Sequence, residues 1–131
     1  MVEKQISINQ KGFTMLEIIA VLIILSVLAA IAVPKYINLE ANARQRILDA
    51  GMQELNAREH LAWSDQKIST SGYVSDAKVF SVVSYEIGID YTWNSGDPTP
   101  SGGTLIFSDE SVTLSRSPST AGQPAQWTRT P

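Results

Sequence analysis

The feature that most restricts the fold of this chain is one long apolar run near its start. Between Phe13 and Val33 only three residues are polar, namely Thr14, Glu17 and Ser26. The stretch from Ile18 to Pro34 contains 17 residues and no charge. A helix needs roughly 20 apolar residues to cross the hydrocarbon core of a bilayer. The run therefore predicts a helix that is able to span a membrane.

Three interpretations of this run compete. A cleaved secretory signal has a shorter apolar region, of about 7–15 residues, that ends in a small-residue cleavage site. Here the run is longer and continues through Pro34 into an amphipathic pattern. An ordinary single-pass anchor explains the length but gives Glu17 no purpose, since a carboxylate deep in a membrane helix costs about 2.5–3.5 kcal/mol. In that case Glu17 lies at the headgroup level and is solvated.

The third interpretation gives Glu17 a partner. Cleavage between Gly12 and Phe13 would create a positively charged amine at Phe13, four residues before Glu17. If such helices pack side by side with a stagger, the Glu17 carboxylate of one chain neutralises the amine of the next. A paired carboxylate in apolar surroundings is much less costly than an unpaired one. The pair would then fix the register between neighbouring chains.

The same residues resemble the N-terminus of type IV pilins and of the related pseudopilins of type II secretion. That family has a short basic leader ending in Gly, then Phe and Thr, a Glu at the fifth mature position and a Pro near the twenty-second. Counted from Phe13, Glu17 is fifth and Pro34 is twenty-second. The resemblance implies cleavage after Gly12 by a prepilin peptidase and N-methylation of Phe13. It also places the leader in the cytoplasm, which the charges around the run do not decide.

The residues after the run, PKYINLEANAR, are similar to a stretch of mannose-sensitive-haemagglutinin-type pilins. Those pilins usually carry a cysteine pair in their globular part, whereas this chain contains no cysteine. A small exported domain without cysteines must gain its stability elsewhere, and assembly with copies of itself is one route.

An amphipathic helix pattern follows the run as far as Asp65. Apolar or small residues recur at helical spacing and charged residues take the remaining positions. One helix is therefore expected from about Phe13 to Asp65, with a kink at Pro34 and a soft point at Gly51. The recurring set is Ile47, Leu48, Gly51, Met52, Leu55 and Ala62, and the charged set is Arg44, Arg46, Asp49, Glu54, Arg58 and Glu59.

The pattern changes to strands and turns after Lys67. Val79–Val83 and Tyr85–Trp93 are rich in β-branched and aromatic residues and predict two strands. A hairpin is predicted from Thr104–Phe107 and Val112–Ser115, whereas the Pro- and Ser-rich tail after it is expected to be irregular. Three or four antiparallel strands packed on the amphipathic half-helix predict an α+β fold. This is the pilin-like fold that the resemblance implies.

Several classes of function find little support in the composition. The net charge is −3 and the pI is about 5.0, so binding of nucleic acid is not expected. His60 is the only histidine and cysteine is absent, so a surface or packing role is expected for His60, with no catalytic site and no cofactor. Four acidic residues in the second half offer oxygen ligands for calcium, but they form no tight loop motif. They are Asp90, Asp97, Asp109 and Glu110.

The sequence thus predicts a non-enzymatic subunit with four segments. These are a cleaved leader (1–12), the membrane and filament-core half of the helix (13–34), its amphipathic half (35–65) and a β-rich head (66–131). By the resemblance, the prepilin is held in the inner membrane with its head in the periplasm, and then polymerises into an extracellular filament. The implied partners are copies of itself or other pilins, the prepilin peptidase, the inner-membrane assembly platform and lipid.

Two alternatives remain open from the residues. The chain could serve as a type II secretion pseudopilin or a minor pilin, in a short periplasmic fibre or at its tip. It could also remain an uncleaved, single-pass membrane-anchored binding module.

Overall fold

The computed structural model describes residues 12–131 and divides the chain into two compact units. The first, the N-terminal unit, ends at Leu39, and the second, the C-terminal unit, extends from Glu40 to Pro131. Residues 1–11 of the predicted leader lie outside the described residues. The elements form an α+β fold with a long N-terminal helix and a four-stranded antiparallel sheet, as predicted.

Helix α1 comprises Met15–Ile68 and includes Pro34. The predicted helix is therefore confirmed, with an end three residues later than expected, while the kink at Pro34 stays a prediction. Lys67 lies in the last turn, where a positive charge interacts favourably with the helix dipole.

Helix α2 comprises Asp76–Val82, where the sequence had predicted a strand over Val79–Val83. That prediction is wrong because the local capping chemistry outweighs the β propensity of the valines. The Ser75 side chain accepts a hydrogen bond from the Lys78 backbone N–H at 3.3 Å, and Asp76 places a negative charge in the first turn. Val79 is fully buried in this helix.

The sheet contains four strands in the order β1-β2-β3-β4, and every neighbouring pair is antiparallel. The predicted strand over Tyr85–Trp93 is mostly wrong, since only its last three residues form β1. The tail, which was expected to be irregular, contributes β4. The strands are β1 Tyr91–Trp93, β2 Gly102–Phe107, β3 Glu110–Ser117 and β4 Gln126–Arg129.

The predicted hairpin is confirmed and is longer than expected. Its register pairs Gly102 with Ser115 and Phe107 with Glu110. Ser108 adopts a φ of 54° in the connecting turn. Gly102, at a φ of 141°, lies so close to the Leu114 carbonyl oxygen that any Cβ there would collide with it. The start of β2 is thus restricted to glycine by its close contact with β3.

The core of the C-terminal unit lies between α1 and one face of the sheet. Leu48 and Leu55 of α1 are fully buried against Leu105, Leu114 and Trp127 from the strands. Gly51 lies between the two leucines along the helix. A Cβ built on it would stand 2.8 Å from Tyr91 Cε1 and 3.1 Å from Leu105 Cδ2. The role of Gly51 is therefore to let the sheet approach the helix, in addition to its predicted effect on helix stability.

Candidate functional site

The start of α1 is closed by a capping box made of Thr14 and Glu17. The Thr14 backbone N–H donates to Glu17 Oε2 at 2.8 Å, and the Glu17 backbone N–H donates to Thr14 Oγ1 at 3.2 Å. This arrangement satisfies two backbone donors that the first turn of a helix leaves free. It was missed in the sequence, although Thr-x-x-Glu before an apolar run is the signature of such a box. One oxygen of the carboxylate, Oε1, is not used by it.

All three polar side chains of the apolar run form hydrogen bonds within their own helix. Besides the capping box, Ser26 donates from Oγ to the Leu22 carbonyl oxygen at 2.7 Å. A polar group without a partner is expensive in hydrocarbon, so these local bonds are what a lipid environment demands. These bonds satisfy polar groups of the helix locally, but they do not neutralise the charge of Glu17.

The apolar side chains of this part of α1 are exposed. No residue in the most apolar 18-residue stretch of α1 is buried, and by length and composition α1 is one helix able to cross a membrane. Individual exposures include 47% for Ile18, 60% for Ile24 and 69% for Ile31. A contiguous apolar surface of this size marks contact with lipid or with other protein.

Gly12 and Phe13, the predicted cleavage site, precede the capping box. Both residues are exposed, Phe13 by 83%. A Cβ built on Gly12 would meet no atom of residues 12–131 within 4 Å. Packing within the described chain therefore gives no reason for a glycine at this position.

A second site of interest is a buried network of charges in the C-terminal unit. The guanidinium of Arg116 on β3 forms two hydrogen bonds with each of two carboxylates. Nε and Nη2 donate to the oxygens of Glu59 at 2.6 and 3.1 Å, and Nη1 and Nη2 donate to those of Asp76 at 2.8 and 2.9 Å. Nη1 also donates to the Pro100 carbonyl oxygen at 3.2 Å. These five bonds match the five N–H donors of arginine.

The carboxylate of Glu59 is completely enclosed by donors. The side chains of Glu59 and Arg116 both have 0% exposure. Tyr85 Oη and Trp127 Nε1 each donate to Glu59 Oε1 at 3.1 Å. Burial raises the pKa of the Tyr85 hydroxyl, and the nearby Glu59 carboxylate raises it further. The hydroxyl therefore stays protonated and remains a hydrogen-bond donor. The network therefore joins α1, α2, β3 and β4 at one point, in a unit that has no disulfide.

The prediction that Glu59 lies on the charged faces of the helix is wrong, because its side chain is buried. Glu59 follows Leu48 and Leu55 at helical spacing, at i+11 and i+4, and so continues the buried stripe. Arg116 continues the inward alternation of Val112 and Leu114 along β3, where alternate residues are buried. The burial of both charged residues could therefore have been predicted from the sequence, because each continues the pattern of buried positions along its own element.

The carboxylate of Asp76 gives the network a pH dependence. Burial opposes its ionisation, but hydrogen bonds from Arg116 and Ser119 outweigh that effect and lower the pKa of Asp76 to about 2. Because the folded-state pKa lies below the unfolded value of about 3.9, the carboxylate stabilises the fold fully above pH 4. That contribution is lost as the pH falls towards 2.

We therefore expect acid to destabilise the C-terminal unit through this group by about 1–2 kcal/mol, after allowance for partial solvent screening. The fluorescence of its three tryptophans during thermal unfolding in detergent, recorded from pH 7 to pH 2, measures the loss. Asp76→Asn should be less stable at pH 7 but show a shallower decline in acid. Parallel pH curves for the two proteins would contradict the assignment.

The remaining candidate residues do not form a site. Among residues 12–131, no group of three or more His, Asp or Glu side chains is placed to hold a metal ion. Asp109 pairs with Arg44 at 3.4 Å and Glu110 accepts from Gln45 at 2.8 Å. His60 is exposed, with its ring centroid 6.0 Å from that of Trp63, which agrees with the predicted surface or packing role.

Comparisons with known proteins agree with this arrangement. The family model described as the prokaryotic N-terminal methylation motif matches residues 8–33. The type IV narrow pilus major component PilA5 of Thermus thermophilus is 30% identical over 105 residues, which are 80% of this chain and 77% of that protein. No solved structure matches the chain significantly. With its apolar helix, methylation motif and small antiparallel sheet, the chain belongs to the type IV pilin family.

Proposed function

We propose that this chain is a structural subunit of a type IV pilus and not an enzyme. It is inserted in the inner membrane as a prepilin, cleaved between Gly12 and Phe13, N-methylated at Phe13 and then polymerised into a helical filament. The apolar half of α1 leaves the lipid and packs against the same half of neighbouring subunits. The observation that carries the proposal is this exposed apolar surface within a stretch that matches the methylation motif.

Glu17 has two successive roles in this proposal. In the membrane it caps its own helix through Thr14, a role that the two capping hydrogen bonds support. In the filament its carboxylate also neutralises the amine of Phe13 on a neighbour. A charge pair in an apolar core tolerates few alternative staggers, because any shift leaves both charges unpaired. The pair would thereby select the register of the filament.

The relative from Thermus thermophilus supports a pilus over a secretion pseudopilus. Its name describes a major component of a narrow pilus, and it is similar to this chain over most of both lengths. The expected partners are accordingly further copies of this chain or other pilins, the prepilin peptidase and the inner-membrane assembly platform.

Mass spectrometry of the protein recovered from its own cells tests the processing step. We expect the mature chain to begin at N-methylated Phe13. Gly12→Val should block cleavage without disturbing the fold, because a Cβ at position 12 meets no atom of residues 12–131 within 4 Å. A functional wild-type protein that retains residues 1–12 would instead support the uncleaved anchor. Electron microscopy of sheared surface material then shows whether the processed chain forms filaments.

A further inference from the structure

The C-terminal unit has an open groove between the end of α1 and α2. The groove has a volume of about 640 Å³, and apolar side chains from both helices and from Val83 after α2 line it. Two of them remain largely exposed, Leu61 by 64% and Val82 by 55%. Apolar surface that is gathered in a concave site, unlike scattered surface residues, indicates contact with another molecule.

The same unit presents a segment with the complementary properties. Ile89 is 98% exposed, the highest value among the large hydrophobic residues of the described chain. It lies in the connection before β1, next to Gly88, whose φ is 146°, and Asp90. An exposed apolar side chain in this connection matches the apolar lining of the groove.

The charges at the two surfaces also match. Lys78 lines the groove and forms no ion pair within residues 12–131. Arg58 lies at the same edge and donates to the carbonyl oxygens of Ser84 and Glu86. Asp65 also lines the groove, so an incoming acidic group is best placed at the Lys78 side. Asp90, adjacent to Ile89, supplies that group.

We propose that this groove receives the loop of residues 86–90 from a second copy of the chain. In this contact Ile89 inserts between Leu61 and Val82, and Asp90 approaches Lys78. The two surfaces are different, so each subunit can accept one neighbour and insert into another. A contact of this heterologous type that does not close into a ring generates a helical filament. The inference rests on the proposed function and adds a specific contact between C-terminal units.

Cysteine cross-linking tests the contact cleanly because the chain has no cysteine of its own. The double variant Leu61→Cys/Ile89→Cys is assembled into filaments, checked by electron microscopy and oxidised mildly. Denaturing gels without reductant should then show a ladder of dimers, trimers and longer species, which reductant collapses to monomers. The matched control is Thr113→Cys/Ile89→Cys, whose first position is exposed on β3 away from the groove. It should remain monomeric.

The outcomes separate this contact from the proposed function itself. If filaments of the double variant yield only monomers after oxidation, the proposed contact is wrong, whereas the proposed filament function is unaffected. Dimers without longer species also overturn it, because they indicate a reciprocal two-fold pair. If the cysteine-free wild-type chain forms no filament and stays uncleaved, the proposed function fails, and this inference fails with it.

Discussion

Replacing Glu17 with glutamine is expected to abolish filament assembly while leaving the protein in the membrane. Glutamine fits the third position of a capping box as well as glutamate does, so the start of α1 should remain intact. It carries no charge, so the amine of a neighbouring Phe13 would be left unpaired in an apolar core. Breaking a buried charge pair costs about 3–5 kcal/mol, and about 1.4 kcal/mol already corresponds to a tenfold change. Filament yield should therefore fall by more than about tenfold.

The matched control for this effect is Thr14→Ala. It removes the hydroxyl that accepts the Glu17 N–H but retains the charge of Glu17. Loss of a cap costs about 0.5–2 kcal/mol of helix stability, which a long helix should tolerate, so we expect filaments in near-normal amount. Glu17→Ala, which removes the charge and the hydrogen bond from the Thr14 N–H but keeps the bond to the Thr14 hydroxyl, should assemble as poorly as Glu17→Gln.

Sheared filaments and membrane fractions, quantified by immunoblot, distinguish these roles. Normal yield from Glu17→Gln with poor yield from Thr14→Ala would reverse the assignment, since the cap and not the charge would then govern assembly. Reduced amounts of Glu17→Gln in the membrane fraction would point to a defect in insertion.

Replacing Arg116 with methionine is expected to have the largest effect on stability. Methionine has a similar length but leaves the fully buried carboxylate of Glu59 without its cation and removes five hydrogen bonds. Removing one partner of a buried ion pair destabilises by about 3–5 kcal/mol, a large part of the 5–15 kcal/mol that holds an ordinary domain together. The melting temperature of the C-terminal unit should fall by more than about 10 °C.

Arg129→Met is the control for this change. Arg129 lies on the neighbouring strand β4 and pairs with Asp49 at 3.6 Å, but the two side chains are 41% and 51% exposed. Exposed pairs contribute about 0–1 kcal/mol, so this variant should melt within a few degrees of the wild type. Tryptophan fluorescence during thermal unfolding compares the proteins. A loss below about 1 kcal/mol for Arg116→Met would show that the network contributes little to stability.

The acid-labile Asp76 and the central Arg116 belong to the same network, so the two predictions are linked. In Arg116→Met the hydrogen bonds that lower the pKa of Asp76 are reduced to those from Ser119. The stability of this variant should consequently depend less on acid pH than that of the wild type.

The long helix, the family and the α+β class could all be predicted from the amino-acid sequence. Each of these depends on residues that are close in the chain: an uninterrupted apolar run, fixed spacings from Phe13 to Glu17 and Pro34, and short alternating stretches. Local patterns of this kind retain their meaning without knowledge of the rest of the fold. The capping box of Thr14 and Glu17 is equally local, and its motif was legible in the sequence.

The contacts that hold the C-terminal unit together became visible in the folded chain alone. The valines of α2 have strand propensity, and the burial of Val79 in the folded unit adds to the local cap at Ser75 in favouring a helix. β4 forms in a Pro- and Ser-rich tail because its backbone pairs with β3 and Trp127 fills the core. The pairing of Glu59 with Arg116 joins residues 57 positions apart. These features depend on contacts between distant segments. A local sequence pattern carries no information about the free energies of those contacts.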